Sequence, residues 1–403
     1  MLCYTNPRIM SATTLVGCPK MSFAAKTSSS WLGNLNYRRL FSLTLRYFTN
    51  THEPSAPKPD HYPKWATSAS EIFAELEDGQ NIFMQGSVST PAALETMLLS
   101  HVLDKKLRNL KLFQFYPLGP TPYFAEEFRG RIRMSTAYGS IYCRDAINEG
   151  LADYIPIALS DLPLFYRNKL VFFKYALIMV SPPDIHGFCT LGATVGSARS
   201  AIKSAEKIVA QVNPQVPVTY GDSAIHVSQI DFLVPCSEPI FEVPSPPPSS
   251  IDQTIASNIA SELIEDGATI QLGFGSIPHE VTSHLRDHKD LGIHAENIFD
   301  GIVDLVELGV ITNKHKQVRQ GRIAASYAIG TKRVYDFIDQ NPLVALYEIA
   351  WTNSIERIAR NPKVSSVNTC LEMDLSGQSV GDSIAGNVYT VATVGETIDV
   401  PAG

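Results

Sequence analysis

Leu291–Gly301, LGIHAENIFDG, sets one carboxylate, Glu296, between His294 and Asn297, with Gly292 and Gly301 on either side. Upstream, Gln271–Pro278, QLGFGSIP, is a short apolar run that breaks into a glycine turn. A carboxylate beside a loop of free backbone N–H groups is equipped for acyl transfer from a thioester. The carboxylate attacks, and the amides hold the oxygen that becomes charged. Glu296 is then the candidate nucleophile. Gln271, Leu272, Gly273, Phe274, Gly275, Ser276 and Ile277 are the candidate oxyanion loop, because two glycines let successive N–H groups point outward. On position alone Glu296 also reads as a solvated loop acid, and the loop as a plain strand-to-helix turn. The loop is not a dinucleotide fingerprint, since Pro278 stands at the third glycine position.

The flanking residues have weaker signals. His294 could orient the carboxylate or attract an anionic acid, or be a hydrogen-bonded histidine at a strand end. His294 with Glu296 lacks a third ligand at sensible spacing, so no metal site is expected. Asn297 and Gly86 are possible substrate contacts, Gly86-Ser87 by lining an acyl pocket after the first strand. Asp300 fits the N-cap of a helix over Ile302–Leu308. Lys332 and Arg333 offer two charges for phosphate groups, or a solvated surface.

The elements around these residues alternate. An apolar run Ile82–Ser87 leads into a helix over Pro91–Lys105. Tyr154–Leu159 and Ala176–Val180 read as strands, Ser197–Val212 as a helix and Phe232–Val234 as a strand. Six prolines between Pro235 and Ser250 exclude a helix or inner strand there. Ile251, Ile255, Ile259 and Leu263 then recur every fourth residue on one helix face, ended by Gly267. Thr269–Leu272 is a strand, and Val281–Arg286 begins a helix. The fold class is α/β, with two open α/β domains. The expected boundaries are 1–50 targeting segment, 51–64 linker, 65–234 first domain, 235–250 proline-rich linker and 251–403 second domain.

The motifs resemble a known family. QLGFGSIP, GIHAENIFDGIVDLVELGVITN, IAASYAIGTKRVYDFI and LEMDLSGQ, in that order, are similar to the acetyl-CoA hydrolase/transferase family, above all its 4-hydroxybutyrate (acetate) CoA-transferase branch. EGLADYIPIALSDLP, ALIMVSPPDIHGFCTLG and NPQVPVTYGDSAIHVSQIDFLV resemble its first domain. The resemblance covers residues 65–390. It implies two related α/β domains with the active site at their interface. It also implies a ping-pong transfer of CoA between a short acyl-CoA and a small carboxylic acid, through a glutamyl-CoA thioester on Glu296. The glycine loop would help bind CoA, with Asn368 and Leu371 near it. No tightly bound cofactor is implied; the CoA thioester is substrate, and a homo-oligomer is the family habit. An acetyl-CoA hydrolase would use the same glutamate.

The motif match fades after Ile384, where the family carries a second glycine cluster; only Gly395 and Asp399 hint at it. A C-terminally shortened, catalytically impaired form that only binds or dimerises is therefore the rival from another class.

Composition sets the outer limits. At 403 residues, 44% hydrophobic and 18% charged, the chain suits a globular protein of two domains. No eighteen-residue apolar run suggests a membrane span. Cysteines 3, 18, 143, 189, 236 and 370 form no CxxC pair, which suits a reducing compartment. Six basic residues, Arg8, Lys20, Lys26, Arg38, Arg39 and Arg46, precede the first acid, Glu53. This Ser-, Thr- and Leu-rich segment has the composition of a mitochondrial transit peptide, which points to the matrix. The rest carries 27 basic and 40 acidic residues, a net of −13, which disfavours nucleic-acid binding.

Overall fold

The computed structural model describes residues 57–58, 60–245, 247–273, 275–385 and 387–389. The basic segment 1–50, half of the 51–64 linker (51–56 and 59), Phe274, Gly395 and Asp399 lie outside the described residues.

The first half of the chain forms β1 (Lys64–Trp65), β2 (Asn81–Met84), β3 (Leu110–Gln114), β4 (Ile132–Thr136) and β5 (Asp153–Tyr154). It continues with β6 (Phe173–Val180), β7 (Phe188–Thr190), β8 (Ala205–Val212), β9 (Ala224–His226) and β10 (Phe232–Pro235). Eight of these make one sheet in the order β1-β10-β8-β6-β2-β3-β4-β5, parallel throughout. The central strand β6, FKYALIMV, is apolar at nearly every position and buried along most of its length. Strands covered on both faces need such continuous runs, not alternation. Helix Ala92–Asp104 covers one face through Leu94, Leu98 and Val102.

The second half is built from shorter strands: β11 (Thr269–Leu272), β12 (Gly292–Ile293), β13 (Asn297–Ile298), β14 (Ile323–Ala325), β15 (Tyr327–Ala328), β16 (Val344–Leu346) and β17 (Ser365–Val367). The order β12-β11-β17 forms one parallel sheet, and β14-β16 and β13-β15 are parallel pairs. A bridge between His294 and Ala324 joins the first group to the second. Bridges Thr194–Tyr327 and Gly221–Leu346 join the two halves. One apolar core runs through both, with Phe115, Tyr138 and Val195 in the same cluster as Ile298, Tyr327 and Leu346.

Four expectations change. Ser197–Val212 is helical only over Ala198–Lys203, and Ala205–Val212 is strand β8, paired on both sides by β6 and β10. The Ile208–Val212 run is rich in β-branched residues and fills an inner strand position. Tyr154–Leu159 is a strand only at its start, because Pro156 has no N–H to extend the ladder. In helix Ser250–Leu263, Ile251 is exposed and the buried residues are Ala256, Ile259 and Ala260, so the inward face is rotated from the isoleucine stripe. Asp300 is the first residue of its helix (Asp300–Glu307), not its N-cap; Phe299 takes that place. The Asp300 carboxylate instead accepts hydrogen bonds from the Thr331 N–H at 3.0 Å and from its hydroxyl.

No helix or strand is recorded among the described residues of 236–249. This segment is tied to the second half, with Val243 N–H donating to the Gly330 carbonyl (2.9 Å) and the Tyr335 hydroxyl to that of Phe241 (2.8 Å). No described helix is long and apolar enough to cross a membrane.

Candidate active site

Parallel strands deliver their following residues to one edge of a sheet, and in open α/β sheets ligands bind beyond these carboxyl ends. Here the glycine turn follows β11, Glu296 follows β12, Ser326 and Tyr327 follow β14, and Asn368 follows β17. From the first half, Gly86-Ser87 follow β2, Phe115-Tyr116 follow β3 and Tyr138 follows β4. The two sets meet: the rings of Phe115 and Tyr327 lie 6.0 Å apart, and Tyr138 lies within the electrostatic field of Glu296.

Glu296 is fully buried. One carboxylate oxygen accepts the Tyr327 hydroxyl at 2.8 Å, and the other accepts the Asn353 side-chain amide. Its backbone carbonyl accepts the N–H groups of Ser326 (2.9 Å) and Tyr327 (3.0 Å), which fix the main chain behind it. Burial pushes the carboxyl up to about 7, against the opposing pull of the Asn353 and Tyr327 donors. A hydrogen bond to a charged group contributes about 1.5–3 kcal/mol, whereas removing a carboxylate from water costs more when no cation stands opposite. Tyr327, itself raised well above its usual range by burial, stays a neutral donor.

His294 faces other partners. One ring nitrogen meets the Thr352 carbonyl at 2.8 Å, the other lies 3.4 Å from the Asn361 amide, and the ring stacks on Trp351. Burial lowers its pKa to about 4, so it is neutral. It braces the strand rather than orienting the carboxylate. Asn297 is fully buried, and neither atom of its amide has a hydrogen-bond partner among the described residues. The hydroxyls of Ser87 and Thr194 are in the same condition. Asn297 is in register with Tyr327 and Thr194 bridges to it. Unsatisfied buried polar groups such as these are what a polar ligand would complete.

In the glycine loop, Gly275 has φ 126° and caps helix Ser276–His284, whose first amides have no intrahelical acceptor. An added Cβ there would meet the Thr369 hydroxyl at 3.0 Å. Gly273 is different: its N–H is taken by the Val367 carbonyl at 2.9 Å, which leaves the free donors to the Gly275–Ile277 part of the loop. Gln271 is locked against Asn368 and Ser366, and Leu272 is buried in the core. Both hold β11 to β17. Gly86 lets β2 and β3 converge, because a Cβ would lie 1.6 Å from the Phe115 carbonyl oxygen.

Two further expectations find other partners. The Lys332 ammonium is paired with Asp336 and the Arg333 guanidinium with Asp304 and Glu307, all exposed, so both charges are already answered on the surface. Leu371 opens a hairpin, its N–H donating to the Val380 carbonyl at 2.8 Å. No cluster of three metal-ligating side chains occurs among the described residues. Sequence reasoning missed Tyr327 and Asn353. Tyr327 stood inside a quoted motif, but nothing local marks either as a partner of Glu296.

With this geometry in hand, similarity to known proteins is specific. The acetyl-CoA hydrolase/transferase N-terminal domain family matches residues 54–243, and its C-terminal domain family matches residues 330–403, beyond the point at Ile384 where the motifs fade. Glu296 lies between the two matched segments. The chain is 44% identical to a succinyl-CoA:acetate/propanoyl-CoA:succinate CoA transferase of Fasciola hepatica, over 85% of this chain and 72% of the relative. It is 35% identical to the 4-hydroxybutyrate coenzyme A transferase of Clostridium kluyveri, over 85% and 79%. Among solved structures it is similar to the 4-hydroxybutyrate CoA-transferase of Porphyromonas gingivalis (31% identity, TM-score 0.68, 78% of this chain and 75% of that one). It is also similar to RipA of Yersinia pestis (27%, TM-score 0.73, 78% and 75%). The fold is that of the two-domain CoA-transferases. The chain belongs to the acetyl-CoA hydrolase/transferase family and is an enzyme of the acyl-CoA:carboxylate CoA-transferase type.

Proposed function

We propose that the chain moves CoA between a short acyl-CoA and a small carboxylic acid by ping-pong catalysis on Glu296. One observation carries this reading: a fully buried carboxylate, held by two neutral donors with no cation opposite among the described residues, where the two halves of the chain meet. A carboxylate stripped of water is a stronger nucleophile than a solvated one. The Glu296 carboxylate attacks the thioester carbonyl, the C–S bond breaks, and a mixed anhydride forms as the CoA thiolate leaves. The thiolate then attacks the glutamyl carbonyl, releasing the first acid as its carboxylate and leaving a glutamyl-CoA thioester. An acceptor carboxylate reverses both steps. The amides of Gly275–Ile277 are the donors available for the developing oxyanion, and no tightly bound cofactor is required. Succinate, acetate and propanoate are the first acids to try, given the names of the relatives. The acid-free basic segment before Glu53 supports a mitochondrial matrix location.

The test is the intact mass of the full chain after incubation with acetyl-CoA or succinyl-CoA, followed by peptide mapping. A CoA-sized adduct on the Glu296 peptide, absent from Glu296→Gln, is expected. A folded sample that turns over without such an adduct would remove the covalent mechanism. Release of CoA without an acceptor acid would mark hydrolysis.

A further inference from the structure

Asn353 gives the Glu296 carboxylate one of its two hydrogen bonds, and what holds Asn353 lies largely in the other half of the molecule. Asn353 ends the short helix Ile349–Thr352, which Glu348 precedes. The Glu348 carbonyl accepts from the Trp351 N–H at 2.8 Å and the Thr352 N–H at 3.2 Å, and the Asn353 N–H donates to Ile349 at 2.9 Å. The main chain from Glu348 to Asn353 is therefore one rigid turn.

The start of that turn is gripped by the first half of the chain. The Glu348 carboxylate is buried, pairs with the Arg167 guanidinium and accepts the Ser200 hydroxyl. The Glu348 N–H donates to the Asp222 carboxylate at 3.0 Å, and the Ile349 N–H to the Gly196 carbonyl at 3.0 Å. Arg199, also buried, donates to the Asp222 and Ala224 carbonyls at 2.8 and 3.0 Å. Arg167 closes helix Leu162–Arg167, and Ser200 sits on helix Ala198–Lys203, both in the first half. The other end of the turn passes the Thr352 carbonyl to His294 and the Asn353 amide to Glu296.

A buried carboxylate in an ion pair stabilises a fold weakly, because desolvation offsets its attraction; in some proteins its role is to fix geometry and register instead. We propose that the Arg167–Glu348 pair, a partly exposed guanidinium on a buried carboxylate, is a positioning device: it fixes where Asn353 stands and thereby sets the hydrogen bond that Asn353 gives Glu296. The seam between the halves is thus read out at the carboxylate. The catalytic meaning of this rests on Glu296 being the reacting group; the coupling itself does not.

The charged groups on each side are countable. Around Glu348 stand Arg167, Arg199, Lys203 and Asp222, with Arg319 and Arg357 on the Trp351 side. Around Glu296 stand Tyr327 and Tyr138, with His294 neutral and turned to other partners. Loss of the Asn353 donor removes a contact that favours the charged form, so the Glu296 titration moves to higher pH.

The carboxyl stretch of protonated Glu296, assigned by its loss in Glu296→Gln, can be followed by infrared difference spectroscopy from acid to alkaline pH. Asn353→Ala is expected to raise the titration midpoint by roughly one pH unit. Glu348→Gln is expected to raise it by at least about half as much, and to add nothing in the Asn353→Ala background. Should Glu348→Gln fail to fold, Ser200→Ala and the charge-free pair Arg167→Met with Glu348→Gln are judged by the same criterion. A midpoint unmoved from wild type in these folded variants overturns the proposal and leaves Arg167 and Glu348 a purely structural pair. Because the reading is taken on the carboxyl itself, it stands apart from the adduct test, which alone decides whether Glu296 attacks a thioester.

Discussion

Two of the buried glutamates, Glu95 and Glu296, are both pushed up to about 7. Glu95 sits inside helix Ala92–Asp104 of the first half, with burial the cause of its shift. Glu296 reaches the same value although Asn353 and Tyr327 pull it down, so its burial penalty is the larger. A raised carboxyl therefore does not by itself identify a site. What separates Glu296 is its setting: two aimed donors, the carboxyl ends of parallel strands, unsatisfied Asn297 next to it in the chain and unsatisfied Thr194 bridged to its partner Tyr327. Glu95 has a helix backbone, an apolar surround and Tyr123 for a neighbour.

The sharpest way to break the comparison is to neutralise each glutamate. Glu296→Gln is expected to lower CoA-transfer rates by about a thousandfold or more, since an amide cannot form the anhydride. Glu95→Gln should stay within about threefold of wild type, because surrounding changes remote from the reacting atoms alter rates little. Initial rates with an acyl-CoA and a carboxylate acceptor decide it, and equal losses in both variants would end the distinction. Next in size, Asn353→Ala and Tyr327→Phe each remove one donor from Glu296 and should cost roughly ten- to a hundredfold. The same removals at Glu95 have no counterpart.

The acid limb of the rate is a smaller effect and follows from the value of about 7. Attack needs the ionised carboxylate, so kcat/KM should fall about tenfold per unit as pH drops below 7, and level off above it. In Asn353→Ala the limb should begin at higher pH, as the carboxylate loses a contact that favours its charge. A limb that lies near the ordinary glutamate range in both proteins would mean the carboxyl is wetter than the fold implies.

Much of this was legible in the residues. β11 was marked by an apolar run ending at glycines, and the helix after β2 by its composition. The nucleophile candidate came from one carboxylate between glycines, read together with a neighbouring turn. The two donors to the Glu296 carboxylate were not legible for a physical reason. Asn353 reaches Glu296 across 57 residues, and Tyr327 across 31, through strand pairing that no local period encodes. The helix expected over 205–212 failed likewise, because strand β8 owes its form to the neighbours that bury it. His294 was half legible: its type suggested chemistry, but only the packing shows both nitrogens spent elsewhere.

The smallest effect tests burial directly, with no substrate present. A carboxyl whose folded pKa lies above its unfolded value of 4.5 favours the fold fully below 4.5, and that contribution is lost as pH rises through about 7. Glutamine does not titrate. Relative to wild type, Glu296→Gln should therefore gain stability between pH 5 and 8, by on the order of 3 kcal/mol at most. Glu95→Gln should gain in the same direction and by a similar amount, because its carboxyl also lies at about 7. Thermal midpoints of the three proteins at pH 5 and 8 give the comparison. If Glu296→Gln gains stability at pH 8 while losing transfer, the site keeps a destabilising charge for its chemistry. If neither difference changes between the two pH values, water reaches both carboxyls, and the contrast between them must rest on hydrogen bonds alone.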